Sequence, residues 1–580
     1  MTDSSTAVPA TAASRLIGPL VRGAARTLGL VPASGEFRML MAGAIAAAAA
    51  RAFGKALPEK PETSGQFIAR RIEKSVFASI ASAGDPLDRL FRAGRLYEAA
   101  LQATDQDGRR SGGSYFTPVV VARHAALEAA AGRERSTFLD PACGTGNLLA
   151  ALVLLGRIPA ARLVGRELDP AAAFLARTNL WLAAGGRPMD WERICLQVDS
   201  GDSLQTPVIA ADVMVTNPPF VRGVADHGEK VLAEREVLRQ RFPLLRGPFD
   251  LAAAFWALGE EMCCSRTVLI VPNRLLSAGY TARLRDAAIR RRDSVRLRDF
   301  SREKPFASVS VYPVVLTLDR DRRGEGRTSN GQPSGMFHWQ TRLLEGRSWG
   351  AALSASAMEL LEAGPVRLCD IATVHAGQTT GEAYALRPHV GEAGDYHLVT
   401  AGAIEPHRIR QSGRQRFLGR EMEHPRIPAG ALSERRRLVA GSPKLLVSGM
   451  GRKVEAALDL DGAAAPAVSV FVVQPREGTG IGLGALSALL NSRTIEGIFR
   501  ELYGSQTMSG GYISLTKAAL EELPVALELD PARFGRLDAI GYALHEIPDS
   551  MELLEEAEEL VLGLFRKGQV ANRIVRAGRP

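Results

Sequence analysis

Asn217, Pro218, Pro219 and Phe220 follow one another in the chain as NPPF, four residue types that together suit one chemistry. Neither proline can donate a backbone hydrogen bond and both stiffen the turn, so the Pro218 carbonyl and the Asn217 side-chain oxygen can be held as two convergent acceptors. Two acceptors aimed at one point suit a planar amino group, and Phe220 adds a flat apolar face against which a planar ring can stack. With proline near 5% of residues, such a tetrapeptide arises by chance in roughly one chain of this length in a hundred. The structural alternative is a rigid turn that buries its Phe.

A second group lies upstream. In LDPACGTGNLL, residues 139–149, a strand-like run reaches Asp140 and a Gly-containing turn then opens a helix. Gly144 and Gly146 let the backbone approach a ligand closely, and the following helix offers free N–H groups. A tight structural bend or a dinucleotide site would use the same turn. Glu167, in VGRELDP, stands at the end of the next run, where an acid reads a ribose hydroxyl pair.

The elements that must position these residues are legible as alternating patterns. TFLDPACG, ARLVGRELD, ICLQVDSGD, ADVMVTNPP, TVLIVPN and VVLTLDR each contain a strand-like run, with helical stretches between most of them. This alternation predicts an α/β fold built on a doubly wound parallel sheet, whose ligands sit at the carboxyl ends of its strands. Ahead of it, residues 1 to about 30 read as a mobile tail and residues 37–103 as helical, broken at Pro58 and Pro61, with Asp85 a plausible N-cap of a later helix. Residues 320–334 form a charged, Gly-containing linker. Beyond it come shorter β-like runs rich in Gly and Arg, and the chain closes on MELLEEAEELVLGLFRKGQ, amphipathic with acids early and bases late. No repeat of 20 to 50 residues is visible.

Composition sets the bounds. At 580 residues the chain has room for roughly four domains at most, and 46% hydrophobic with 23% charged residues and a mean hydropathy of -0.02 exclude wholesale disorder, collagen-like structure and a membrane bundle. The Ala-rich stretch 39–50, bounded by Arg38 and Arg51, is too short to span a bilayer, and the N-terminus lacks the order of a secretory signal, so a cytoplasmic location is expected. Five scattered cysteines form no CxxC pair and the nine histidines form no HExxH, while no GxxxxGK[ST] loop occurs. Disulfide frameworks, zinc proteases and P-loop NTPases fall away. A formal charge of +9 favours a polyanionic partner. Arginine outnumbers lysine sixty-three to nine, which suits bidentate contacts to phosphate and guanine or reflects a GC-rich genome.

In this order the segments resemble the amino-methylating DNA methyltransferases that use S-adenosylmethionine, specifically the adenine-N6 group in which cofactor motifs precede a target-recognition domain. GSYFTP (113–118) matches the family's segment before the sheet, DPACGTG its cofactor loop, Glu167 its ribose acid, Asp202 in GDSL, with Asp199 close by, its adenine-side acid, and NPPF its catalytic loop. FDLAAAF (249–255), LIVPNRLL (269–276) and KPFASVSVYPVVLTL (304–318) also look like family segments, so the resemblance covers about residues 85–320. It implies S-adenosylmethionine as cofactor, no metal for methylation, and catalysis by Asn217, Pro218, Pro219 and Phe220. It places Thr117, Asp140, Gly144 and Gly146 around the methionine part of the cofactor, and Phe220 and Phe306 against a flipped-out base. Phe220 stands where the family more often has Tyr, which keeps the stacking face and drops a hydroxyl.

Beyond Arg367, RLCDIATVHAGQTTG, YHLVTAGAIEP and later segments resemble target-recognition domains of restriction-modification systems, and residues 407–437 are dense in Arg. The expected organisation is an N-terminal tail and helical region (1–110), a methyltransferase domain (111–320), a linker (321–360) and a recognition domain with a C-terminal helix (361–580). Residues 1–110 lack an acid-plus-Glu-x-Lys nuclease pattern. The expected activity is therefore modification-only methylation of adenine in double-stranded DNA, in a restriction-modification or phage-defence system with a separate nuclease or defence subunit. Three other activities use related features: RNA adenine methylation, protein glutamine methylation, and DNA binding by a catalytically silent fold.

Overall fold

A computed structural model describes residues 10–28, 34–59, 61, 65–104, 117–220, 229–247, 249–262, 264–291, 294–300, 313–320, 336–338, 349, 360–361, 363–410, 414–503 and 513–565. The chain divides into two compact units, residues 1–346 and 347–580. No helix among the described residues is long and apolar enough to cross a membrane.

In the first unit the described chain opens with the helices α1 (Ala10–Leu28), α2 (Gly35–Ala52), α3 (Gln66–Ala81) and α4 (Pro86–Thr104). α2 is the Ala-rich stretch, and its small side chains let it lie buried on nearly every side. Pro58 and Pro61 fall between α2 and α3, and Asp85 caps α4 by accepting from the Asp88 N–H at 2.9 Å. The tail expected over the first thirty residues is corrected for residues 10–28, which form α1. Ala13, Ile17, Val21 and Ala24 recur there at three- and four-residue spacing and are buried. One continuous core joins these helices to those that flank the sheet.

The sheet contains β1 (Phe138–Asp140), β2 (Leu163–Glu167), β3 (Val198–Ser200), β4 (Val213–Thr216), β5 (Arg266–Pro272), β6 (Ser294–Asp299), β7 (Pro313–Asp319) and β8 (Met336–His338), in the order β3-β2-β1-β4-β5-β7-β6-β8. The first five in that order run parallel. β7 lies antiparallel between β5 and β6, so the sheet is mostly rather than wholly parallel. Every residue of β4, β5 and β7 is buried, as expected where both faces are covered. α5 (Val119–Ala130) leads into β1, and the helices between strands include α6 (Asn147–Leu154), α7 (Pro170–Ala183) and α8 (Trp191–Gln197).

Two local patterns yielded to tertiary packing. The run ICLQV is mostly the end of α8, and only Val198–Ser200 is strand. SVRLRD, by contrast, is β6; it buries Val295 and Leu297 with period two while its arginines find partners. Arg296 reaches Glu128 at 3.1 Å and Asp319 at 3.0 Å. Asp319, 1% exposed, also accepts from Arg266 and Arg133, and Arg266 donates to the Glu128 and Ala131 carbonyls at the end of α5. Burial opposes the Asp319 charge, yet Arg266 and Arg296 outweigh it and hold its carboxyl below the usual range.

The second unit is α+β. Ala372–Ala376, Val470–Pro475, Lys444–Ser448 and Ala456–Asp459 form an antiparallel sheet in that order, with the helices Leu483–Leu490, Arg493–Tyr503, Pro531–Glu546 and Met551–Leu564 sharing its core. A smaller core gathers Leu398, Phe417, Ile427, Leu432 and Ala440. On it sits a two-stranded ribbon, Gln415–Phe417 paired with Arg420–Met422, turned by Leu418 and Gly419 at φ 45° and 83°.

Candidate active site

Four neighbouring strands deliver the site. In the order β3-β2-β1-β4, their carboxyl ends lead to Asp202, Glu167, Asp140 and Asn217 respectively. Asp140 is buried, and its Oδ1 accepts from the Ala142 N–H at 3.2 Å. The chain then turns through Gly144 (φ 54°) and Gly146 (φ 79°), both in the left-handed region that disfavours a Cβ. At Gly146 a Cβ would also come within 2.8 Å of the Ala176 backbone, whereas at Gly144 it would project into open space. The loop thus packs tightly on α7 at one glycine and has open space beside the other. Asn179 of α7 holds it further by donating to the Thr145 carbonyl at 2.8 Å.

Glu167 faces the same turn. Its Oε2 accepts from the Gly144 N–H at 2.9 Å and its Oε1 from the Asp169 N–H at 3.0 Å. A carboxylate has about four lone-pair sites, so roughly two remain for other donors. Burial raises the Glu167 carboxyl above its usual range, partly countered by those two N–H groups, and burial pushes Asp140 up to about 7. Two such carboxylates, poorly solvated and close together, favour a cationic guest.

Asp202 accepts from the Leu204 N–H at 2.8 Å, and the adjacent Ser203 hydroxyl donates to the Pro141 carbonyl at 2.7 Å, tying this loop to the glycine turn. Asp199 instead pairs with Arg166, at distances from 2.6 to 3.1 Å. Of the two acids at the end of β3, Asp202 is thus the one without a side-chain ion pair among the described residues. Asn217 donates through Nδ2 to the Thr117 hydroxyl at 2.8 Å, joining two residues one hundred positions apart. Pro218 and Phe220 are buried and Pro219 is partly so. Phe306 and residues 113–116 lie outside the described residues.

Several contributors had no motif to mark them. Ser203 and Asn179 act through single contacts to backbone carbonyls, and Asp169 is visible in sequence only as a plausible N-cap before Pro170.

Comparison with known proteins bears on this geometry. Residues 91–245 match the model of the N-6 DNA Methylase family. The tRNA1(Val) (adenine(37)-N6)-methyltransferase of Porphyromonas gingivalis strain W83 is 36% identical over 214 residues, covering 33% of this chain and 74% of that protein. The chain belongs to the adenine-N6 methyltransferase family. A solved structure of the type IIL restriction-modification enzyme MmeI in complex with DNA matches with a TM-score of 0.55 at 11% identity, over 98% of this chain and 98% of that one. The fold of this family member is therefore shared with a restriction-modification enzyme along almost its whole length. Within it, the glycine turn, Glu167 and Asn217 occupy the carboxyl edge of the methyltransferase sheet.

Proposed function

We propose that the chain is a site-specific DNA adenine-N6 methyltransferase of a restriction-modification or defence system, acting on an adenine turned out of duplex DNA. The observation that carries this reading is the Asn217–Thr117 hydrogen bond at the edge of the sheet, beside the carboxyl end of β1. With Nδ2 donating to Thr117, Oδ1 lies on the other side of the planar amide carbon, and an amide oxygen can accept two hydrogen bonds. An adenine amino group has two protons. One would go to Asn217 Oδ1 and one to the Pro218 carbonyl, whose turn the prolines stiffen. These bonds draw the nitrogen away from planarity and free a lone pair otherwise delocalised into the ring. The acceleration comes from positioning and from dipoles already in place.

The residues present fit S-adenosylmethionine: open space lies beside Gly144, Glu167 keeps acceptor sites, and Asp140 is buried. When bound, this cofactor supplies a methyl group on a cationic sulfonium. Glu167 would accept from its ribose hydroxyls, Asp202 would meet its adenine, and Asp140, Gly144, Gly146 and Thr117 would surround the methionine part. Phe220 and Phe306 would stack against the target base and offset part of the few kcal/mol that unstacking costs.

The second unit supports a nucleic-acid partner. Residues 407–437 hold nine Arg against three Glu, so this short stretch carries +6 of the chain's +9. Arg416, Arg420, Arg435 and Arg437 are exposed and have no carboxylate partner among the described residues. A two-stranded ribbon is narrow enough for a major groove, and Phe417, beside its turn, packs into the small core while Arg416 and Arg420 on either side of it stay exposed. RNA is the second reading, favoured by the tRNA-methylating relative. Expression of wild type and Asn217→Ala in a host lacking adenine methylation, followed by single-molecule mapping of N6-methyladenine, tests the proposal. One short marked sequence with wild type and none with the mutant is expected; methylation confined to cellular RNA would overturn it.

A further inference from the structure

We propose that the N-terminal helices do more than cap the sheet: through Tyr97 they position Glu167 for the cofactor. This rests on the reading of Glu167 as a cofactor-binding acid. Tyr97 projects from α4, is 2% exposed, and donates to Asp169 Oδ2 at 2.7 Å. Arg38 of α2 approaches the same oxygen at 3.7 Å. Asp169 uses its other oxygen to cap α7, accepting from the Ala171 N–H at 3.0 Å, and its own N–H goes to Glu167 Oε1. Glu167 Oε2 completes the series at the Gly144 N–H.

Three hydrogen bonds in series, with the α7 cap as a branch at Asp169, therefore connect a helix of the N-terminal region to the glycine turn by way of Glu167. Each link constrains the next. The Tyr97 hydroxyl and Arg38 fix the Asp169 carboxylate, which fixes the first turn of α7 and the direction of the Asp169 N–H. That N–H orients one Glu167 oxygen and the Gly144 N–H the other, so the remaining lone pairs of Glu167 face a set direction before any ligand arrives. Pre-organisation of this kind lowers the ordering cost of binding. Burial, followed by the nearby Asp169 charge, holds the Tyr97 hydroxyl protonated as a donor across the working pH range. Asp169 also adds negative charge beside Glu167, and Arg38 and Tyr97 temper it.

Tyr97 is thus a positioning residue, and Tyr97→Phe removes the hydroxyl while keeping the ring in its packed site. Two measurements decide. In cofactor-free protein, hydrogen exchange of the Gly144 and Asp169 amides should be about fivefold faster in Tyr97→Phe than in wild type, since the restraint on their shared acceptor is lost. Unchanged exchange overturns the connection, whatever the protein binds. By calorimetry, the Kd for S-adenosylmethionine should rise about tenfold, while kcat at saturating cofactor stays within about twofold, matching the loss of a hydrogen bond to a charged group. Faster exchange with an unchanged Kd overturns the link to the cofactor. Glu167→Gln separates this failure from failure of the underlying reading: wild-type affinity in Glu167→Gln sinks the role of Glu167 itself, whereas weakened affinity there beside an unchanged Tyr97→Phe sinks only the relay. Should Tyr97→Phe prove unstable, Asp169→Ala must reproduce both shifts, and an unaltered Kd in that variant also overturns the proposal.

Discussion

Arginine serves opposite ends in the two units. Around Asp319 in the first, Arg266, Arg296 and Arg133 are sunk into the sheet's edge and matched to carboxylates and carbonyls. On the ribbon and the neighbouring helix of the second, Arg416, Arg420, Arg435 and Arg437 are exposed without acidic partners among the described residues. A buried guanidinium must have its partners inside the fold, because the interior does not solvate charge. An exposed, unmatched cluster instead raises the local potential and favours a polyanion. One residue type is therefore structural in the first region, while in the second its exposed, unmatched members are where the proposed polyanion contact is to be tested.

The sharpest way to break this contrast begins at the site itself. Asn217→Ala should lower methylation at least about 1,000-fold, roughly 4 kcal/mol of transition-state stabilisation, with an unaltered melting profile; single-turnover assays on target duplex check it. A fall in stability of similar size would mean that Asn217 belongs to the fold rather than to the chemistry.

Next is the buried cluster. Asp319→Ala leaves three guanidiniums short of their partner and should destabilise the first unit by about 3 kcal/mol in denaturant titration, with salt doing little to alter the loss. On the other side of the comparison, the double variant Arg416→Ala and Arg420→Ala should leave stability nearly unchanged. It should weaken duplex binding about tenfold and lower the slope of log affinity against log salt by about two. If the double variant unfolds the protein while Asp319→Ala does not, the distinction between structural and binding arginines is reversed.

Per unit of the variable changed, the smallest effect is in pH. Asp140, raised to about 7, binds its proton more tightly in the folded chain than in the unfolded one, so it subtracts stability as pH rises from about 4 to about 7. His407 of the second unit is buried and its pKa is lowered by that burial to about 4; the folded state keeps it neutral, so its contribution is full above about 6.5 and is lost as pH falls towards 4. The two slopes have opposite sign, each at most about 1.4 kcal/mol per pH unit. Thermal scans from pH 4.5 to 7 should show Asp140→Asn removing the loss on the alkaline side and His407→Gln removing the loss on the acid side. Equal slopes in wild type and both variants would mean that neither group is linked to folding.

Much of this was legible because it is local. The glycine turn, the acid ending β2 and the prolines after β4 are set by short-range sterics and by the period of apolar residues, so DPACGTG, VGRELDP and NPPF place Asp140, Glu167 and Asn217 at strand ends without coordinates. What defeated local pattern was compensation at a distance. SVRLRD, not among the strand-like runs legible in sequence, is a strand in which Glu128 and Asp319 partner Arg296, and ICLQV looks like strand although α8 takes most of it. The N-terminal stretch looked like a tail because its buried side chains are small and sparse; they gain their value only when α1 lies on α4.

The sequence by itself determined which groups could do chemistry here, and that they would stand at the ends of strands, since turn geometry, residue type and the apolar run before each turn are written in adjacent positions. Tertiary structure alone decided how those groups are held. Thr117 meets Asn217 across one hundred residues, Tyr97 meets Asp169 across seventy-two, and Asp199 is drawn off to Arg166 while Asp202 remains beside the turn. Such contacts depend on where the packed core brings distant backbone segments, and a side chain's pattern in sequence carries no record of the partner it will find.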